Sequence, residues 1–298
     1  MIQLALIAPT ASGKTDLSLS LAHKLDAVVL SLDSLSVYKH IDIASAKPTN
    51  EERDGIVHFG IDCITPDQNF DVIEFIAEYE KTKLYCKENR KNLIIVGGTS
   101  FYLKSLTQGL SCAVVLNQSQ KNIVKTYLQN LQASYDLLNS IDKDYMQKIE
   151  PNDKYRIEKA LEIYVGSNLS PSEFFKQNPP KPIIENLPIF QIETQVDILR
   201  KRIELRTAKM IKEGIIDEVI YLERNYTRAP NCMKSIGIKE TLEYLDGKID
   251  KKMLQELITI HTAQLAKRQR TFNKSQFENV VSLPLDQLEN RILQTING

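Results

Sequence analysis

Little in this chain of 298 residues suggests a disulfide, a metal centre or a membrane span. Cysteine occurs four times, at Cys63, Cys86, Cys112 and Cys232, with neither paired nor metal-like spacing. With only four histidines, all scattered, no zinc site is expected. The thiols read as free, in a reducing compartment. No stretch approaches the ~20 apolar residues of a transmembrane helix. A strand-like run begins at Ile2, which leaves no room for a signal peptide and points to a cytoplasmic protein. Net charge is lacking too: 38 Lys+Arg against 38 Asp+Glu give +0. Local patches must therefore decide any contact with nucleic acid. No internal repeat is visible. What the chain does have is 42% hydrophobic residues, enough for a core. Its length suits one large α/β domain or a core carrying an inserted module.

The organising stretch is residues 2–15. Leu4–Ile7 reads as a buried strand, and Leu17, Leu21 and Leu25 mark a helix soon after. Between them stand Ala8, Pro9, Thr10, Ala11, Ser12, Gly13, Lys14 and Thr15. This is the pattern of a phosphate loop, the kind used for nucleotide and ATP binding, with Ala8 in place of the first glycine. Gly13 lets the backbone curl so that N–H groups converge on an anion. Lys14 adds a mobile charge, Thr15 offers a hydroxyl to phosphate-bound Mg²⁺, and the helix start points its free N–H groups at the same place. Ala8 costs little if its φ is negative. An ordinary turn before a helix, with a solvated lysine, is the bland alternative.

Further along, Val28–Leu32 is a second apolar strand ending at Asp33. An acid there sits at the rim where α/β active sites form, although a turn or helix-cap aspartate is an equal reading. Residues 39–70 look irregular. Asp71–Asn89 is helical, and Leu93–Val96 is a strand that stops at Gly97-Gly98-Thr99 before another helix. After Gly109 the strand pattern fades, with helices expected near 123–131, 142–149 and 153–164. Pro179-Pro180-Lys181-Pro182 closes that region, and Ile183–Ile192 reads as one more core strand. The simplest organisation is a core of residues 1–111 and 183–298 interrupted by a helical insertion, 112–182. A long helix over 194–222, breakable at Gly214, carries Arg202 and Arg206 on one face. The last long helix, near 251–269, has His261 in its apolar stripe, a packing position. Beyond it Lys267, Arg268, Arg270 and Lys274 form an uncompensated basic patch with Phe272 and Phe277 interleaved.

Taken together, these blocks resemble the tRNA dimethylallyltransferases. Ala8–Thr15 is similar to that family's Gly-Pro-Thr-Ala-Ser-Gly-Lys-Thr, and Asp33-Ser34-Leu35-Ser36-Val37-Tyr38 to its Asp-Ser-Met-Gln-Val-Tyr. Asp42-Ile43, Ala46-Lys47-Pro48, Gly97-Gly98-Thr99 with Tyr102-Leu103, and Asp153, Arg156 and Ala160-Leu161-Glu162 follow in order. Arg206, Met210, Gly214, Glu218-Val219, Gly237, Lys239-Glu240 and Ala266-Lys267-Arg268-Gln269 complete the set. Departures are Ala8, Leu35-Ser36, Ile238, Ala263 and, in place of tryptophan, Phe272.

The resemblance implies a P-loop, nucleotide-kinase-like α/β core with a parallel sheet and a mostly helical inserted domain. It implies transfer of a dimethylallyl group from dimethylallyl diphosphate to N6 of adenosine-37, just 3′ of the tRNA anticodon. The loop Ala8–Thr15 would then hold the donor diphosphate rather than ATP, with Mg²⁺ at Thr15. Asp33 would act as base, Thr10 at the bridging oxygen, and Arg206 across the diphosphate from Lys14. Asp33, Ser34, Leu35, Ser36, Thr99, Lys121, Tyr155, Arg156, Lys267, Arg268 and Gln269 are the candidate tRNA contacts. Lys121 is placed only by its distance from Gly97-Gly98-Thr99. No obligate protein partner is implied, so a monomer is expected. The alternative is an ATP-dependent small-molecule kinase sharing the loop and the core. A non-enzymatic RNA-binding module is a third class, which Asp33 beside the loop argues against.

Overall fold

The computed structural model describes residues 1–111 and 114–297; Cys112, where the insertion was expected to begin, lies outside them. Two compact units emerge, Met1–Thr107 with Ile184–Gly298, and Gln108–Ile183.

The first unit opens with β1 (Gln3–Ile7), α1 (Lys14–Lys24), β2 (Ala27–Leu32), the two-residue β3 (His58–Phe59), α2 (Val72–Glu88), β4 (Asn92–Gly97) and α3 (Ser100–Gln108). The apolar runs become strands because they are buried on both faces, as parallel strands between helix layers must be. Leu4, Leu6, Val29, Ile94 and Val96 pack with Leu17 and Leu21 of α1 on one face. On the other lies α2, whose Tyr79 hydroxyl donates to Gln3 Oε1. Asp71 starts α2 by accepting the Ile73 N–H, with Glu74 returning to the Asp71 N–H.

The second unit holds α4 (Gln118–Tyr127), α5 (Leu131–Ile141), α6 (Lys143–Met146), α7 (Lys154–Ser167) and α8 (Pro171–Gln177) around Val124, Leu138, Met146, Ile157 and Leu161. The helix expected over 123–131 is α4, which starts earlier and ends at Tyr127; α5, which was not expected, follows with Asn130 as its cap.

Returning to the first unit, β5 (Ile189–Glu193) begins later than the expected 183, after Pro188, which has no N–H to give a ladder. Gly214 separates α9 (Val196–Glu213) from α10 (Ile215–Tyr226), so the helix expected over 194–222 is two. Then come α11 (Ile238–Leu245), α12 (Lys251–Gln276), β6 (Val281–Pro284) and α13 (Leu285–Asn297). The helix expected to end near 269 thus runs to Gln276, and α13 covers the sheet beside α1 through Leu288 and Ile292. No helix among the described residues is long and apolar enough to cross a membrane.

Among the described residues the six strands are ordered β3-β2-β4-β1-β5-β6, and every pairing is parallel. From β1 the chain goes first to one side of the sheet and later, through β5, to the other. Loops at the carboxyl ends of β1, β2 and β4 therefore surround a topological switch point, where α/β folds form their sites. Tight closure there depends on Gly97. A Cβ at this position would stand 2.6 Å from both the Leu32 Cβ and the Leu32 carbonyl oxygen. Gly97→Ala should accordingly cost roughly 1–3 kcal/mol, an overpacking penalty. Calorimetry should record a lower Tm; an unchanged Tm would show that the two strand ends part without strain.

Candidate active site

The loop between β1 and α1 is held in a curl by two left-handed residues, Ala11 (φ 62°) and Gly13 (φ 89°). Ala8 is not among the positive-φ residues and is fully buried, so its methyl packs where a glycine was expected. Gly13 begins α1 without a side-chain cap, which leaves first-turn N–H groups free to meet an anion. Two distant side chains pin the loop: Arg202 Nη1 donates to the Ser12 carbonyl at 3.1 Å, and the Thr10 N–H donates to Gln269 Oε1 at 3.2 Å. The Ser12 hydroxyl is buried with no hydrogen-bond partner among the described residues.

Beyond β2, Asp33 Oδ1 accepts the N–H groups of Leu35 (2.8 Å) and Ser36 (3.3 Å), closing an Asx turn. Asp33 is therefore both a turn aspartate and a cleft residue, and the two sequence readings are compatible. No hydrogen bond within the described residues engages its Oδ2. Beyond β4, the Thr99 N–H donates to the Leu32 carbonyl and Thr99 Oγ1 accepts from the Ser34 N–H, tying the two loops together.

These loops line one cavity of about 390 Å³ with Thr10, Lys14, Thr15, Asp33, Thr99 and Arg206 on its wall. Its charge balance is unusual. Burial, and then the Arg206 guanidinium, lower the Lys14 ammonium to about 8, while Asp33 acts in the other direction. Burial also works against the Arg206 charge, opposed by Asp33. Neither cation has an ion pair among the described residues. The one hydrogen bond Arg206 makes there is Nη2 to the Ser45 carbonyl at 3.4 Å. Lys47 lines the same cavity, but its ammonium donates to the Tyr38 carbonyl, Asp42 Oδ1 and Asp62 Oδ1, which uses all three donors. Buried charge is stable when paired. Lys14 and Arg206 thus leave a site for an anion of more than one charge, while Lys47 is structural.

Of the other residues singled out in the sequence, Ser34 and Leu35 line the cavity. Ser36 lines it too, although it is largely buried, with its hydroxyl bonded to Ser31 Oγ and the Asp33 carbonyl. Gln269 lines the cavity as well, and its Oε1 holds the loop through the Thr10 N–H. Lys267 and Arg268 are exposed on α12 without ion pairs among the described residues, as are Arg270 and Lys274. Lys121, Tyr155 and Arg156 belong to the unit Gln108–Ile183. There Tyr155 is 70% exposed and Arg156 is paired with Asp153, the cap of α7. His261 is held by Glu240 at 2.5 Å, in keeping with a packing role. Cys63, Cys86 and Cys232 are free thiols, and burial pushes those of Cys63 and Cys86 up to about 11. The wall Ala44–Pro48 was not foreseen; the Ala46-Lys47-Pro48 block was its only trace in the sequence.

A family model described as IPP transferase matches residues 36–276. The tRNA dimethylallyltransferase of Sulfurovum sp. (strain NBC37-1) is 56% identical over 293 residues, covering 98% of this chain and 97% of the relative. That of Sulfurimonas denitrificans is 56% identical over 296 residues, covering 99% and 100%. The crystal structure of a tRNA isopentenylpyrophosphate transferase from Bacillus halodurans superposes with a TM-score of 0.74 at 29% identity, covering 100% of this chain and 96% of that one. A eukaryotic dimethylallyltransferase acting on tRNA gives 0.83 at 25% identity, covering 99% and 78%. On these grounds the chain belongs to the tRNA dimethylallyltransferase family, the IPP transferases.

Proposed function

We propose that this enzyme transfers the dimethylallyl group of dimethylallyl diphosphate to N6 of adenosine-37, 3′ of the tRNA anticodon, and releases diphosphate. The observation that carries this reading is the cation couple Lys14 and Arg206, without an ion pair among the described residues, facing a cleft whose one carboxylate among those residues, Asp33, leaves its Oδ2 unengaged there. The loop Ala8–Thr15 serves as a phosphate loop for the donor. Its N–H groups, Lys14 and Arg206 bind the diphosphate, Arg206 with the two-oxygen reach of a guanidinium. Thr10 stands at the oxygen bridging carbon and phosphorus.

Mg²⁺ suits this site as a partner of the donor. Thr15 brings one hydroxyl to the cavity, and among the described residues no three His, Cys, Asp or Glu side chains converge to hold a metal. Phosphate oxygens and water would complete the ligand set. When bound, the ion neutralises charge on the leaving diphosphate.

The exocyclic amine of adenine is a weak nucleophile because its lone pair feeds the ring. The donor's allylic carbon compensates by gaining positive charge as its C–O bond breaks and the electron pair leaves with diphosphate. N6 attacks that carbon and its proton passes to Asp33 Oδ2. The target base must leave its stack to arrive there. Exposed Lys267, Arg268, Arg270 and Lys274 meet RNA phosphates, with Thr99, Ser34 and Leu35 at the base and Lys121, Tyr155 and Arg156 on the insertion, residues 112–182. Binding should then weaken with salt. We place the enzyme in the cytoplasm with its tRNA, as a monomer.

Incubation with unmodified tRNA and either dimethylallyl diphosphate or ATP, followed by mass analysis of the nucleosides, tests this reading. A dimethylallyl increment on adenosine is expected. A phosphoryl increment on a small acceptor, with tRNA unchanged, would instead mark a kinase.

Lys14 also gives the site a pH signature. Its ammonium titrates at about 8 in the free protein, and an anion binds the protonated form. Affinity for inorganic diphosphate should fall as pH rises through about 8, by up to tenfold per pH unit, relative to Lys14→Met, which removes diphosphate's own titration from the comparison. Parallel pH profiles for the two proteins, by calorimetry, would show that Lys14 is not a ligand.

A further inference from the structure

We infer that Glu218 is a positioning residue of the donor site, holding the Asp42–Ala44 backbone so that the Ser45 carbonyl orients Arg206. The inference rests on the reading of Arg206 as a diphosphate ligand. Glu218 lies in the first turn of α10 and does not line the cavity. Its Oε2 accepts the N–H groups of Asp42 (2.8 Å) and Ile43 (2.7 Å), and its Oε1 accepts that of Ala44 (2.9 Å). Three successive amides converging on one carboxylate form an anion nest filled from within the protein. Burial pushes the Glu218 carboxyl up, against the pull of the three N–H groups, so this side chain is held where its charge is costly.

What the arrangement secures is the next stretch of chain. Ser45 Oγ donates back to the Ile41 carbonyl, Ala46 takes a left-handed conformation (φ 47°), and Lys47 anchors the far end. Between the two anchors the Ser45 carbonyl meets Arg206, the guanidinium's one hydrogen bond among the described residues. Only Gly214 separates the helix carrying Arg206 from the helix carrying Glu218. The arginine and the carboxylate that fixes its partner therefore share one rigid corner.

Glu218→Gln is the informative variant. Its amide keeps one acceptor oxygen but turns an NH₂ toward backbone N–H groups. Titration with inorganic diphosphate should show affinity reduced about tenfold, the scale of a lost hydrogen bond to a charged group. With dimethylallyl diphosphate the donor KM should rise likewise, while tRNA affinity stays within about twofold. In the Arg206→Ala background the same change should have no further effect on diphosphate affinity, because the residue it orients is gone. Glu218→Asp, which keeps the charge, should restore part of the loss and serves if the glutamine variant does not fold. An unchanged diphosphate affinity in Glu218→Gln, or a full tenfold loss added to Arg206→Ala, would overturn the proposal. Absence of prenyl transfer by the wild type would instead reject the functional reading, and the diphosphate titrations would stand apart from it.

Discussion

Lys14→Ala is expected to lower prenyl transfer by about 10²–10³-fold, the effect of removing a pre-aimed donor from a site of developing negative charge. In the proposed mechanism the lysine meets the leaving diphosphate, whose charge grows as the carbon–oxygen bond breaks, so the loss should fall on turnover as well as donor affinity. The same variant carries an opposite sign for stability. In the free protein Lys14 is lowered to about 8 by burial and by Arg206, so its charge is unfavourable there. Without donor, the Tm of Lys14→Ala should be no lower than that of wild type. Slow turnover with a preserved Tm separates a ligand from a structural lysine. Wild-type turnover would remove Lys14 from the mechanism.

Asp33→Asn should slow the chemical step by about 10²-fold or more, within the range for general-base catalysis. Asparagine keeps the turn, because its Oδ1 can accept the Leu35 and Ser36 N–H groups as aspartate does. It loses the second oxygen's ability to take a proton. Measured by single turnover at saturating tRNA, the rate should drop while donor affinity changes little. A wild-type single-turnover rate would leave Asp33 as a turn residue alone, and N6 deprotonation would need another group.

Some of this was legible in the sequence and some was not, for physical reasons. Leu4–Ile7, Val28–Leu32 and Leu93–Val96 were visible as strands because two-sided burial makes a strand contiguously apolar. The two-residue β3 was invisible, since its pairing is set by β2 rather than by any pattern in His58–Phe59. Helix α5 was missed because Ser134 and Leu138 are its only buried residues. In the cleft, Lys14 and Thr15 were readable from a local motif, as was Asp33 from its place just after a strand. Gln269 on Thr10, and Glu218 on Asp42, join residues 259 and 176 positions apart, and no spacing rule reaches that far. Lys47 shows the converse. A lysine in a cavity wall looks like a ligand until its three acceptors are counted.

The strand order has a consequence for biosynthesis. The central strand β1 lies between β4 and β5, with Ala5 paired to Ile95 on one side and Ile189 on the other. During translation β1 can find β4 first, but its other edge has no partner until β5 leaves the ribosome. At 5–20 residues per second that wait lasts roughly 5–20 s. The stretch made in between, Gln108–Ile183, encloses its own apolar cluster and needs nothing from β5 to do so. The nascent chain thus completes its inserted unit before it completes the sheet that interrupts itself to carry it.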